Sequence, residues 1–142
     1  MAIGSLALNT TVTTTGAAAW DVKAGANGKP AIIELGANLG AATASTYGIG
    51  RSGNTPTQSS TTVLQQEDPN DSALTATCAV TWSVAPTIPS PFLRRVDLPA
   101  TLGAGFIYTF LGLKLAVSAP SLVLWNLATN SADTNVHVMA DE

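Results

Sequence analysis

From Leu74 to Val84 the chain reads L-T-A-T-C-A-V-T-W-S-V. Leu74, Ala76, Cys78, Val80, Trp82 and Val84 fall at every second position, with Thr75, Thr77, Ala79, Thr81 and Ser83 between them. A repeat of two marks a strand, whose successive side chains point to opposite faces. The segment is therefore expected to bury one apolar face and turn a threonine-lined face to water or to a partner. Shorter pieces of the same kind lie on both sides of it. Ser5–Thr13, Ala31–Leu35, Ala44–Ile49 (the weakest), Thr61–Gln66, Phe92–Leu98, Phe106–Leu111, Leu113–Ser118, Ser121–Leu127 and Thr134–Ala140 each read as a strand, divided by Gly, Pro, Asn or Asp. Counting the pieces gives eight or nine strands at intervals of about ten residues, with no helical periodicity, which predicts an all-β sandwich or barrel. The reading adopted is a single-domain β-sandwich of jelly-roll type over residues 1–142. Immunoglobulin topology is set aside because its cysteine pair is missing.

Three stretches between the strands carry their own expectations. Ala17–Pro30, rich in Gly, Ala, Lys and Asn, holds Trp20 and the turn signal Asn27-Gly28. It reads either as a hairpin or as a flexible arm, so that residues 1–30 would be an extended or exchanged N-terminal segment. Gly48–Gln58 reads as a loop. Ala85–Pro91, with three prolines, reads as an extended crossover between sheets.

Composition adds a constraint on the surface. Hydrophobic residues make up 46% of the chain and charged ones only 11%, well under the usual charged share. Thr, Ser and Asn must then supply solubility, and much of the surface is expected to be covered by other subunits. The 142 residues suffice for a core without disulfides or metal. A net charge of -3 with six scattered basic residues argues against nucleic-acid binding, which needs clustered Lys and Arg. The N-terminus has no basic region and too short an apolar run for a signal peptide, which predicts folding in the cytoplasm. Leu98–Leu127 is apolar enough to test as a membrane span, but its Pro and Gly cut it into strand-length pieces, so no membrane is expected.

Candidate chemistry is thin. Cys78, the single cysteine, sits on the apolar face of its strand and reads as a buried thiol. Gly48, Gly50 and Gly53 form a G-x-G-x-x-G, yet Pro56 and a run of Thr and Ser follow where a dinucleotide site needs a helix. Glu67-Asp68-Pro69-Asn70-Asp71 lacks calcium-loop spacing and reads as a solvated turn. His137, the only histidine, alternates with Val136 and Val138 as an ordinary strand residue, without the G-x-S-x-G or H-E-x-x-H context of a catalyst. The chain is read as a non-enzyme with no cofactor or metal. Trp82 and Trp125 fall in strands, where burial is the default, whereas Trp20 falls in the loop and becomes the candidate anchor for another subunit. Arg94 and Arg95 are adjacent and point to opposite faces; one of them is expected to reach Asp97 or a partner chain.

The succession Phe92-Leu-Arg-Arg95, Leu98-Pro-Ala-Thr-Leu-Gly-Ala-Gly105, Phe110–Leu113, Ser121-Leu-Val-Leu-Trp-Asn126 and the acidic Asp141-Glu142 resembles small virion proteins of tailed bacteriophages. Among them it is similar to capsid decoration, or cement, proteins. The resemblance implies a homotrimer on the outside of an icosahedral head that clamps neighbouring subunits of the major capsid protein. Its location would then be the virion surface, with Trp20, Arg94 and Arg95 as candidate subunit or capsid contacts. The alternative is a trimeric receptor-binding or fibre-associated module that offers Gly48–Thr62 to a host glycan. A small hydrolase, the third class, would need convergent carboxylates in a cleft.

Overall fold

The computed structural model describes residues 2–12, 17–26, 28–89, 91–115, 120–128 and 132–142, with the side chains of 12 and 132 left aside. Thirteen strands form among them. Eight have five or more residues: β1 (Ile3–Val12), β2 (Ala17–Lys23), β3 (Ala31–Leu39), β4 (Ser45–Arg51), β10 (Arg94–Leu98), β11 (Gly105–Lys114), β12 (Leu122–Asn126) and β13 (Ala132–Asp141). The other five are pieces of two or three: β5 (Thr57–Gln58), β6 (Thr62–Val63), β7 (Gln65–Gln66), β8 (Thr77–Ala79) and β9 (Trp82–Val84). The fold is all-β, as the period of two predicts.

The eight long strands pair in a nested way. β1 pairs with β13, β2 with β12, β3 with β11 and β4 with β10, each pair antiparallel and each enclosed in sequence by the one before. Successive pairs go to alternate sheets. The result is one sheet ordered β11-β3-β13-β1-β7 and another ordered β10-β4-β12-β2-β8-β6, with β5-β9 as a separate ribbon. The two large sheets pack as a sandwich, because each offers an apolar face made by alternation. Val136, Val138 and Ala140 of β13 point inward with Leu35, Ala37 and Leu39 of β3, against Trp20, Val22, Tyr47, Ile49 and Leu124 of the other sheet. The hydroxyls of Tyr47 on β4 and Thr134 on β13 meet at 2.5 Å inside this core and tie the sheets together. A hydrogen bond that is fully buried leaves no water to replace either partner.

Alternation does not describe β12, all of whose residues are buried. Leu122 and Leu124 face the core, while Val123 and Trp125 face outward and are still covered. The cover includes Phe92, at the end of the crossover segment, whose ring packs edge-on against Trp125 at 5.8 Å. That segment explains the three glycines. A Cβ at Gly48 would lie 2.8 Å from the Phe92 ring, one at Gly50 2.8 Å from Pro89 and one at Gly53 2.8 Å from Thr87. Gly48 and Gly50 are interior residues of β4 and not part of a loop, so the expected Gly48–Gln58 loop is corrected to begin after Arg51. The G-x-G-x-x-G is a bare strip of backbone on which the crossover lies.

Other expectations need correction. Leu74–Val84 is not one long strand. Leu74, Ala76 and Cys78 are buried in alternation, but the N–H groups of Thr75 and Ala76 donate to the Glu142 carboxylate at 2.6 and 3.1 Å and not to a neighbouring strand. After β8 the chain leaves the sheet, and β9 pairs with β5, so Val84 is exposed and Trp82 only half-buried. The strands expected at 106–111 and 113–118 begin as one, β11. It slips register between Thr109 and Leu113, where Gly112 takes the positive φ of 95° that a side chain disfavours; residues 116–118 lie outside the described set. The stretch at 17–30 is neither hairpin nor arm at its start, since β2 is an interior strand bonded to β12 and β8. Asn27 of the expected turn is outside the described residues. Trp20 is consequently core, 1% exposed, and its place as a surface anchor is withdrawn.

Candidate subunit interface

The nested pairing leaves β10 at the end of one sheet and β11 at the end of the other, and the two ends meet on one side of the sandwich. Tyr108 Oη donates to the carbonyl of Arg95 at 3.3 Å, and the Arg94 guanidinium stands 5.9 Å from the centre of the Phe110 ring. Both strands are open edges, whose unpaired backbone groups can bond to another chain. Within β11, Phe106, Tyr108 and Phe110 lean inward and are half-buried, leaving Ile107 and Leu111 outside. Ile107 is 62% exposed and Leu111 fully so, and Leu93 and Leu102 beside these strands are exposed as well. Monomeric proteins seldom leave a long apolar edge strand uncovered. Leu93, Arg94, Phe110 and Leu111 line a hollow of about 240 Å³ on this side.

Basic charge gathers at the same place. Arg94 and Arg95 are exposed on β10, Lys114 ends β11, and Arg51 reaches across to donate to the Lys114 carbonyl at 2.8 Å. Asp97, the acid expected to pair with one of the arginines, accepts instead from the Thr46 hydroxyl at 2.6 Å on the neighbouring strand. Across an antiparallel pair, the residue directly opposite is nearer than one two places along the same strand. Arg94 donates to the carbonyl of Leu93 at 2.8 Å, and among the described residues neither arginine forms an ion pair. The structure thus keeps Arg94 and Arg95 as surface candidates and adds Ile107 and Leu111. These two could have been found from the alternation of Phe106, Tyr108 and Phe110, because an apolar residue between inward aromatics has to point out.

Three other places bear on chemistry. His137 Nε2 lies 2.9 Å from Glu34 Oε1 on the outer face of the five-stranded sheet, and Gly36 gives the ring its room, since a Cβ there would lie 2.2 Å from His137 Cε1. The open depression beside it is lined by Ala37, Asn38, Gly103, Gly105, Phe106, Ile107 and His137, none of which is a serine or cysteine nucleophile for a His137–Glu34 pair to activate. Cys78 is fully buried, and burial next to Asp21 pushes its thiol far up, so it is inert. The acidic stretch forms a turn in which Asp68 accepts from the backbone and side chain of Asn70, both at 2.9 Å. No group of three or more metal-ligating side chains occurs among the described residues. No helix among them is long and apolar enough to cross a membrane.

Asp21 is the one buried acid in β2, 1% exposed, with Oδ1 accepting from Gln58 Nε2 at 2.7 Å. Burial raises its pKa above the ordinary 3.8. The Ser121 hydroxyl and Trp82 indole oppose that rise but close no hydrogen bond to Oδ2. The folded state therefore holds this proton to a higher pH than the unfolded chain does, and stability falls as pH rises from 3.8 through the raised value. Asp21→Asn keeps the acceptor for Gln58 and removes the charge. It is expected to raise Tm at pH 7 by about 2–6 °C, a gain that shrinks below pH 4 when both states are protonated. Melting curves at the two pH values check this; an equal shift at both would assign the effect to packing.

Comparison of the chain with protein-family models, with curated proteins and with solved structures finds no match.

Proposed function

We propose that this protein is a structural subunit of a phage virion, decorating the outside of an icosahedral head and holding neighbouring major capsid subunits together. The observation that carries the reading is the open β10/β11 side, where exposed Leu93 and Leu111 line one hollow with Arg94, and exposed Ile107 and Leu102 lie on β11 and in the turn leading into it. A subunit that spends its life assembled can leave such a surface, because association covers it. The reading of the sandwich as a jelly roll belongs to the same proposal. It is supported by the order of the eight long strands: first, eighth, third and sixth in one sheet, second, seventh, fourth and fifth in the other. Viral capsid proteins are among the users of that wiring. The low charged share and the threonine-rich strands suit a chain whose contacts are mostly with protein.

The glycan-binding alternative counted on residues 48–62 as a presented loop, and residues 48–51 instead belong to β4, with Gly48, Ile49 and Gly50 buried. The decoration reading is therefore preferred. Its test is co-sedimentation of the purified protein with shells assembled from the major capsid protein of the same virus. Saturable binding at a fixed number of copies per shell is expected. A protein that stays in the supernatant at every concentration would overturn the reading.

A further inference from the structure

The two sides of the sandwich differ in a way that points to how copies of the chain contact one another. On one side lie β10 and β11 with Arg94, Arg95, Lys114 and Arg51, four of the six basic residues of the protein. On the other lie β6 and β7, the opposite ends of the two sheets, joined through the single residue Leu64. The chain running on from β7 carries Glu67, Asp68 and Asp71, and residues 61–76 contain no lysine or arginine. Glu67 and Asp68 are exposed. This side too has uncovered apolar side chains, Val63 on β6 and Ile3 on β1 next to β7. Each side thus has open strand edges and exposed aliphatic residues, and the two differ in the sign of their charge.

We infer that copies of this chain associate head to tail, the basic β10/β11 side of one copy docking on the acidic β6/β7 side of the next. A symmetric contact of two basic sides would place Arg94 and Arg95 against their own copies, and like charges across an interface oppose association. A head-to-tail contact pairs opposite charges instead. Such contacts are heterologous and close into a ring when the rotation per step divides a full turn. The inference rests on reading the β10/β11 side as an interface, and it names what that side meets: a second copy of the chain. β11 has ten residues while β6 and β7 have two each, so side-chain contacts and charge, more than a long shared ladder, hold the pair.

The test uses the purified protein alone, without shells, in two charge variants. Arg94→Glu with Arg95→Glu reverses the basic side and leaves the acidic side intact. Glu67→Lys with Asp68→Asn removes the acidic character of the other side, and the amide oxygen introduced by Asp68→Asn still accepts from Asn70. All four positions are exposed, and unchanged melting curves confirm folding. Light scattering is expected to give a multiple of the 14.4 kDa chain for the natural protein. Each variant alone should associate about tenfold or more weakly, and an equimolar mixture of the two should form at least the mixed pair, since the intact basic side of one variant meets the intact acidic side of the other. A natural protein that is monomeric, an acidic-side variant that associates normally, or a mixture that stays apart would overturn the inference. Self-association without shell binding would sink the decoration reading and leave this one standing; shell binding by a monomer would do the reverse.

Discussion

Trp20→Ala is expected to destabilise the isolated chain by about 3–5 kcal/mol, the cost of emptying a large core site, and to lower Tm by about 10–20 °C. Trp20 is fully buried between the sheets, directly opposite Leu124 of β12, in a core that includes Val22 and Tyr47. Its indole N–H leans toward Cys78 without closing a hydrogen bond, so Trp20→Phe gives up volume but no satisfied donor. That milder change is expected to cost about 1–2 kcal/mol, as modest core truncations do. Thermal melts by circular dichroism read both. A tryptophan that anchored a second subunit would behave differently, leaving the melting of the monomer unchanged and weakening association. An unchanged Tm for Trp20→Ala would therefore return this residue to the surface and displace β2 from the sheet.

Trp20 also shows where the sequence stops being legible. Ala17–Lys23 has Ala at three successive places, Asp21 in the middle and a lysine at its end, a poor strand by composition. It becomes an interior strand because β12 and β8 pair on either side of it, and tertiary pairing overrides local preference. The alternation at Asn135–Met139 was legible because one face of β13 meets the core and the other meets water. Leu74–Val84 misled for the opposite reason: its alternation continues past the point where the backbone changes partners. A period of two reports which face is buried and says nothing about where N–H groups donate, and at Thr75 they donate to Glu142, at the far end of the chain. The glycines at 48, 50 and 53 match a phosphate-binding spacing that the missing helix already spoke against, but the spacing alone does not say what the bare backbone is for. A missing side chain can admit a ligand or another stretch of the same chain, and here it admits Pro89 and Phe92. At the candidate interface, Arg94 and Arg95 were visible because charge is rare in this protein. Ile107 and Leu111 were hidden because an apolar residue in an apolar protein attracts no notice until its neighbours are known to point inward.

Ile107→Thr combined with Leu111→Thr should separate stability from assembly most sharply. Both side chains project from β11 into open space, so their loss leaves no cavity, and each change is expected to alter folding by no more than about 0.5 kcal/mol. Threonine suits a strand and carries no charge, so the edge keeps its shape and its arginines. What disappears is the apolar area that a partner would cover. Full burial of such side chains is worth about 1.5–3 kcal/mol each, and association retains only part of that gain. The double variant is therefore expected to weaken self-association, shell binding or both by about 10- to 1,000-fold while its melting curve overlays that of the natural protein. Because the charges are untouched, the result is independent of the charge-reversal experiment. Weakening here with insensitivity there would mean an apolar contact of another geometry on the same side. Binding that survives the double substitution at full strength would mean that β11 stays in water when the protein assembles, and the interface would then have to be sought elsewhere on the sandwich.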